Sequence, residues 1–272
     1  MTTMIAPTTL APAPSGSRLR WTLADAATLT WRNLKALTRI PDAIFFATLQ
    51  PIMFVLLFRF VFGGAISIPG VSYVDYLMPG IFVQTVAFGA VSTAVGMADD
   101  LQKGLIERFR ALPMARSAVL AGRTTADLVR NVFIVTLITV VGYIVGFRIG
   151  TNFGLFVCGV LVILFFAYAL SWGFAYIGLS APNAETAQVM VFPLIFPLLF
   201  ASSAFVPVAT MPGWLQVFAE HQPVTQVVNA SRSLMVGGAL HDSGAVWAAL
   251  LWSVGLLVVL APIAVRKYRR VA

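Results

Sequence analysis

Cys158 is the single cysteine in a chain of 272 residues. One thiol excludes an internal disulfide and any zinc or redox spacing. Within an apolar run it reads as a packing residue. Charge is scarce too: 10% of residues are Asp, Glu, Lys or Arg, while 59% are hydrophobic and mean hydropathy is +0.90. A soluble domain carries about 25% charged residues, so this composition points to an integral membrane protein. The chain has no Gly-rich phosphate loop followed by Lys-Ser or Lys-Thr, which excludes ATP binding of the usual kind. His221 and His241 lack ligand spacing, so no metal site is expected. Residues 1–17 carry no charge and have neither the basic n-region nor the apolar h-region of a signal peptide; they read as a disordered tail. The triplet Asn229-Ala230-Ser231 matches a glycosylation acceptor by chance, because it falls on an expected helix beside the membrane.

What the chain does contain is six apolar runs, at about 44–62, 77–97, 126–147, 155–179, 189–205 and 245–265. Each is near the ~20 residues that cross ~30 Å of hydrocarbon as a helix. The expected fold is an all-α integral membrane protein of six transmembrane helices, forming a single domain over residues 18–272. Residues 18–42 mix Trp21, Leu29, Trp31 and Leu34 with Arg18, Arg20, Arg32, Lys35 and Arg39, which fits an amphipathic helix lying in the membrane surface. Pro193 and Pro197 should kink the fifth span. Arg59, near the end of the first, is expected to snorkel.

Basic residues outnumber acidic ones by 18 to 10. Their placement argues for topology, not nucleic acid. In a six-span chain the N-terminal arginines, the loop cations Lys103, Arg108, Arg110, Arg116, Arg123 and Arg130, and the tail cations Arg266, Lys267, Arg269 and Arg270 share one side. Arg148 and Arg232 fall on the other. The positive-inside rule then puts both termini and the 99–117 loop in the cytoplasm, in the inner (plasma) membrane of the cell.

That loop reads DDLQKGLIERFRALPMARS from Asp99. Leu101, Leu105, Phe109 and Leu112 make one helical stripe, with Lys103, Glu107 and Arg110 on another face. Asp99 and Asp100 suit a helix start and Pro113 its end. A short amphipathic helix with an apolar anchor and charged rim suits docking of a cytosolic partner; the plainer alternative is a surface loop. Acids lie only at span ends or in loops, which counts against a proton-coupled carrier. Asp127 is expected to neutralise both Arg123 and Arg130 where the third span begins. Candidate substrate-facing residues are Phe82, Gln84, Thr85 and Phe88 on the second span and Phe192, Phe196 and Phe200 on the fifth; packing between helices is the alternative. An interior rich in Phe and poor in charge favours an apolar or amphiphilic substrate.

Two segments carry a resemblance: DYLMPGIFVQTVAFGAVSTAVGMADDLQKGLIERFRALPMARSAVLAGR, residues 75–123, and FVPVATMPGWLQVFAEHQPVTQVVNASRSLMVGG, residues 205–238. Their order and spacing resemble the permease subunits of ABC-2 type exporters, with the daunorubicin/doxorubicin-resistance efflux permeases as the nearest sub-group. The resemblance implies an elbow helix containing Trp31, Arg32 and Lys35. It implies a cytoplasmic coupling helix with Leu105, Glu107, Arg108, Phe109, Arg110, Leu112 and Pro113. It implies two ATPase subunits per complex, holding the ATP and Mg, and a second permease copy or a sister permease. It further implies an external re-entrant helical hairpin over about 206–240, and export of drugs, lipids or lipid-like metabolites. A secondary transporter or a non-catalytic anchor subunit is the alternative.

Overall fold

The computed structural model describes residues 18–37, 41–66, 68–105 and 116–271. Within them the chain is helical and has no strand. α1 is Arg18–Leu37 and α2 is Pro41–Leu57, which runs into a π-helical turn, Phe58–Phe62. α3 (Tyr73–Gln102), α4 (Arg116–Val145) and α5 (Phe153–Gly178) follow. Then come α6 (Ala184–Phe200), α7 (Gly213–His221), α8 (Pro223–Met235) and α9 (Ser243–Val271). Side-chain caps set several starts. Ser72, Asn152 and Asn183 accept from the backbone N–H groups of Asp75, Leu155 and Thr186, satisfying donors that a helix leaves open in its first turn.

Among the described residues, four helices are long and apolar enough to cross a membrane: α3, α4 from Val119, α5 and α9. Two shorter apolar helices, Ala47–Phe62 and Ala184–Phe200, accompany them. α3 is the hub. It packs against α5, α6, α4 and α8, and Leu77, Met78, Ile81, Phe82 and Val86 are fully buried. α9 lies at the periphery against α5 and α8, turning Trp247, Leu251, Val254, Val258 and Val259 outward. A continuous apolar outer face of this kind is what lipid covers.

Two boundaries differ from the sequence reading. Asp99 and Asp100 do not start a new helix; they form the last turn of α3, which ends at Gln102 with Gly104 in the left-handed region at φ 65°. Nothing interrupts α3 before that glycine. Acids at a helix C-terminus oppose the dipole, and cations offset them: Lys103 Nζ lies 2.7 Å from Asp99, and Arg123 Nη1 lies 2.7 Å from Asp100. The expected fifth span, 189–205, is instead a helix from Ala184 to Phe200 followed by an irregular stretch. Residues 206–240 contain two helices, α7 and α8, joined at Gln222. α8 is buried among α9, α5 and α3, whereas α7 exposes Trp214, Val217 and Phe218. α1 runs along α4: Leu29 is buried there, and Thr30 Oγ1 donates to the Gly122 carbonyl at 3.1 Å.

Candidate functional site

α3 and α4 meet through polar groups that neither helix could leave bare in an apolar layer. The Asp127 carboxylate accepts from Ser92 Oγ at 3.3 Å and from Thr93 Oγ1. Arg130 pairs with Asp127 at 3.2 Å. Its Nη1 donates to Ser92 Oγ and its Nη2 to the Gly89 carbonyl, both at 2.5 Å. Gly89 lies near the middle of the 77–97 apolar run, so the guanidinium reaches well inside it. A Cβ at position 89 would sit 2.5 Å from Asn131 Oδ1 and 3.2 Å from Arg130 Nη2, so these side chains come close because 89 is glycine. Two turns along, Arg123 crosses Gly96, where a Cβ would lie 1.3 Å from Nη2, to reach Asp100. Arg32 of α1 approaches the same carboxylate at 3.9 Å, so Asp100 ties together α1, α3 and α4.

Two expectations are corrected here. Asp127 does not neutralise both arginines: it holds Arg130, while the groove at Gly96 leads Arg123 to Asp100. Nor is ionic chemistry confined to span ends. Asp127 is buried, and its partners Ser92 and Thr93 lie inside the 77–97 run.

Two cavities meet at this seam. The larger, about 460 Å³, lies between α1 and the facing ends of α3 and α4; Arg32, Asp100, Lys103, Leu105, Arg123 and Asp127 are among its lining. The smaller, about 110 Å³, lies deeper between α2, α3 and α4 and is lined by Gln50, Pro51, Gln84, Thr85, Phe88 and Ile134, among others. Ser92 and Arg130 line both. Gln84 is 2% exposed, and its Oε1 has no hydrogen-bond partner among the described residues. Arg130 Nε is likewise unpartnered. Each such group costs about 1–3 kcal/mol unless something completes the bond.

Phe88 links the small cavity to a row of rings. It meets Phe196 edge-on at 5.9 Å. Phe192, Phe196, Phe200 and Phe205 follow at centroid spacings of 5.5, 5.4 and 5.4 Å, and Phe205 stacks on Phe58 of the π-helical turn at 4.7 Å. Phe196 and Phe200 stay exposed on the surface of the single chain.

A second buried arginine sits at the opposite end of α3. Arg232 of α8 lies 3.5 Å over the Tyr76 ring. Its Nε donates to the Tyr76 carbonyl at 2.9 Å. Nη1 donates to Ser203 Oγ and Asn229 Oδ1, and Nη2 to the carbonyls of Ser203 and Ala204. All five donors are used, with no carboxylate among the acceptors. Burial pulls this guanidinium down to about 10, with the Tyr76 contacts opposing, so it remains a cation at neutral pH. Three of the five acceptors belong to the irregular stretch after α6. Gln222 Nε2 takes the Leu198 and Ala201 carbonyls, and the Tyr76 and Tyr73 hydroxyls take those of Ser203 and Phe205. A broken helix survives in an apolar setting when its freed backbone groups find such partners.

The structure brings Gln84, Thr85 and Phe88 together on one cavity and joins Phe192, Phe196 and Phe200 to it through Phe88. Phe82 goes elsewhere: it is fully buried, edge-on to Phe147 at 6.3 Å, and packs the core. Leu105 lines the larger cavity. Glu107, Arg108, Phe109, Arg110, Leu112 and Pro113 lie outside the described residues. On α1, Trp31 is exposed and Arg32 turns toward Asp100; Lys35 is exposed. Arg59 is partly buried, with its guanidinium 5.9 Å from the Phe60 ring. Sequence reading passed over Gln50, Ser92, Asp100 and the burial of Arg232. One signal was there: Gly89, Ser92, Gly96 and Asp100 recur at helical spacing, a small and polar stripe on an apolar helix.

Residues 25–236 match the ABC-2 type transporter family. The daunorubicin resistance ABC transporter permease protein DrrB1 of Streptomyces coeruleorubidus is 36% identical over 258 residues, 94% of this chain and 90% of that protein. The probable doxorubicin resistance ABC transporter permease protein DrrC of Mycobacterium tuberculosis is 28% identical over 271 residues, covering 98% and 95%. The putative transport permease ycf38 of Cyanophora paradoxa is 27% identical over 206 residues, covering 73% and 69%. With an apolar helical architecture and this similarity along nearly its whole length, the chain belongs to the ABC-2 type transporter family and is a permease homologous to those of drug-resistance ABC exporters.

Proposed function

We propose that this chain is the membrane subunit of an ATP-driven exporter that moves hydrophobic or amphiphilic compounds, drugs or lipid-like molecules, out of the cell. The observation that carries the reading is the pair of adjoining cavities between α1, α2, α3 and α4, with the phenylalanine row leading away from the inner one. A route that is polar at one end and aromatic along its side suits a molecule with both characters. The two shorter apolar helices complete six spans, with both termini cytoplasmic as the basic residues demand. α7 and α8 then form a re-entrant hairpin on the outer side. α1 is the elbow, with Trp31, Arg32 and Lys35 at the membrane surface. A second permease copy, or a sister chain, closes the route across Phe196 and Phe200.

ATP and Mg belong to the partner, because this chain has no phosphate loop. Two ATPase subunits dock on the 99–117 loop. Phe109 and Leu112 anchor the contact, and Glu107, Arg108 and Arg110 form its rim, between Leu105 and Pro113. Asp100 supports the reading: the loop leaves α3 beside it, and it grips α1 and α4 together, so a push on the loop is felt by three helices. The test is affinity purification of the tagged protein in mild detergent, with Phe109→Ala and Glu107→Ala in parallel. A stoichiometric Walker-motif ATPase that is lost or uncoupled in the variants is the expected result. A wild-type preparation that transports without any ATPase overturns the reading.

One observation favours a second reading. Buried ionisable residues serve proton relays in secondary carriers, and Asp127 is buried. Its ties to Arg130, Ser92 and Thr93 leave it well occupied. Transport that stops with a protonophore and continues without ATP would select that alternative.

A further inference from the structure

We infer that the last turns of α9 bind the headgroups of anionic phospholipids through Arg266, Arg269 and Arg270, and that this contact fastens that end of the helical bundle in the membrane. The contact does not depend on what the transporter carries.

The charges come first. Residues 243–272 contain no Asp or Glu, so Arg266, Lys267, Arg269 and Arg270 crowd into little more than one turn with no acid on their own helix. Among the described residues no carboxylate of another helix pairs with them either. The cations of α1, α3 and α4 are provided for within the chain: Arg32 and Arg123 share Asp100, Lys103 has Asp99 and Arg130 has Asp127. Like charges three and four apart on a helix repel, and Arg266 stands at those spacings from Arg269 and Arg270. The negative end of the helix dipole offsets only part of this. The group therefore calls for anions from outside the chain.

The position of the group says which anions. The exposed face of α9 runs through Trp247, Leu251, Val254, Val258 and Pro262, at steps of four, three, four and four. The next positions on that face are Arg266 and Arg270, each four further on, with Arg269 beside them, and all three are exposed. At ~1.5 Å per residue, Trp247 to Arg266 covers about 28 Å, close to the ~30 Å of a hydrocarbon core. With Trp247 at one interface, Arg266 stands at the other, and Arg269 and Arg270 lie a further turn out, among the headgroups. The opposite face fixes this height. Ala264 and Tyr268 are buried in one cluster with Leu29 of α1, Leu120 of α4 and Trp172 of α5. A guanidinium donates two parallel hydrogen bonds to a phosphate. An acidic protein surface would also supply charge, but these arginines continue the face that Val258 and Pro262 turn to lipid. Basic residues that only set topology act during insertion, whereas these keep binding in the folded protein.

The experiment uses the full-length chain with Cys158→Ser, which removes the one exposed native thiol, in phosphatidylcholine nanodiscs. A fluorescent label is placed at Ile263→Cys, on the exposed face just before Arg266. Probe lipids carry a nitroxide on the acyl chain and differ only in the head, phosphatidylglycerol or phosphatidylcholine. Quenching reads which of them is enriched beside the label. Phosphatidylglycerol should be preferred by at least about fivefold, the effect of roughly one basic residue at an anionic membrane surface, and the preference should fall as salt is raised. The same label at Leu251→Cys, in the other leaflet, should show none. Changing Arg266→Gln, Arg269→Gln and Arg270→Gln together should abolish the preference at 263, while Arg266→Lys, Arg269→Lys and Arg270→Lys together should keep most of it. Equal quenching by the two heads at 263 overturns the inference. So does a preference that survives the Arg→Gln changes, or one that is equal at 251. No lipid preference, together with loss of a co-purifying ATPase in the Arg→Gln variant, overturns it in favour of a protein partner.

Discussion

The two buried arginines of this chain make an instructive pair. Arg232 gives every donor to carbonyls, a hydroxyl and an amide oxygen, and rests on the Tyr76 ring. It has no carboxylate and no spare bond. Arg130 holds a carboxylate, keeps Nε unused and borders two cavities. A saturated cation is part of the scaffold: it closes the backbone groups released where α6 ends at Phe200. Arg130 instead keeps one buried donor without an acceptor. The same residue type is thus fully bonded at one end of α3 and incompletely bonded towards the other, and accounting for its donors separates them.

The comparison can be broken by substitution. The largest effect is expected from Arg232→Ala, which leaves the carbonyls of Tyr76, Ser203 and Ala204 without their guanidinium donor. A loss of about 3 kcal/mol or more is expected, read as a large fall in thermal midpoint in detergent, with Arg232→Lys recovering part of it. If Arg232→Ala kept its midpoint and lost only transport, the assignment of roles would be reversed.

Arg130 should behave differently. Arg130→Met alone strands a buried Asp127 and destabilises the protein. Adding Asp127→Leu removes the other half of the pair, and stability should return to within about 1–2 kcal/mol of wild type, as for other buried pairs replaced by apolar groups. Transport should stay down by at least about tenfold, the loss of a charged hydrogen-bonding group. Recovery of both stability and transport in the double variant would make Arg130 scaffold as well.

A smaller effect is expected from Asp100→Asn. The carboxylate is buried and shared by Arg123 at 2.7 Å and Arg32 at 3.9 Å, but the amide oxygen of Asn still accepts from Arg123, so the loss should be about 1–2 kcal/mol. Faster amide exchange along α1, with α3 and α4 unchanged, would show that the elbow had loosened. Lys103→Ala should do nothing measurable, because its ion pair with Asp99 is exposed. The hydrogen bond to Asp99 raises the lysine above its ordinary value. Its contribution is therefore complete below that range and lost only as the pH rises through the raised value. Between pH 6 and 9 the wild type and the variant should unfold in parallel.

Much of the scaffold was legible from composition. Long apolar runs force helices where backbone groups cannot reach water, so the four long apolar helices fall where hydropathy places them. The resemblance in residues 75–123 and 205–238 led to the family before any fold was in view. Gln84 and Phe88 were legible as one face of a helix because 3.6-residue spacing fixes which side chains are neighbours. Phe82 was misplaced by the same logic, since periodicity says which residues share a helix but not which helix packs on them. Asp99 and Asp100 looked like a helix start because acids favour that position, but α3 runs on to Gln102, and the cationic partners of Asp100, Arg123 and Arg32, come from other segments.

The sequence by itself determined that this is a helical chain of membrane composition without a phosphate-loop motif, and which side chains line up along each helix. Those are local matters, set by hydropathy, spacing and motif. Only the tertiary structure decided that Gly89 and Gly96 admit arginines from α4, that Asp127 lies within an apolar layer, and that one arginine is saturated while the other is not. These facts depend on where backbones approach each other. That approach is set by the packing of residues far apart in the chain, which neither composition nor local periodicity encodes.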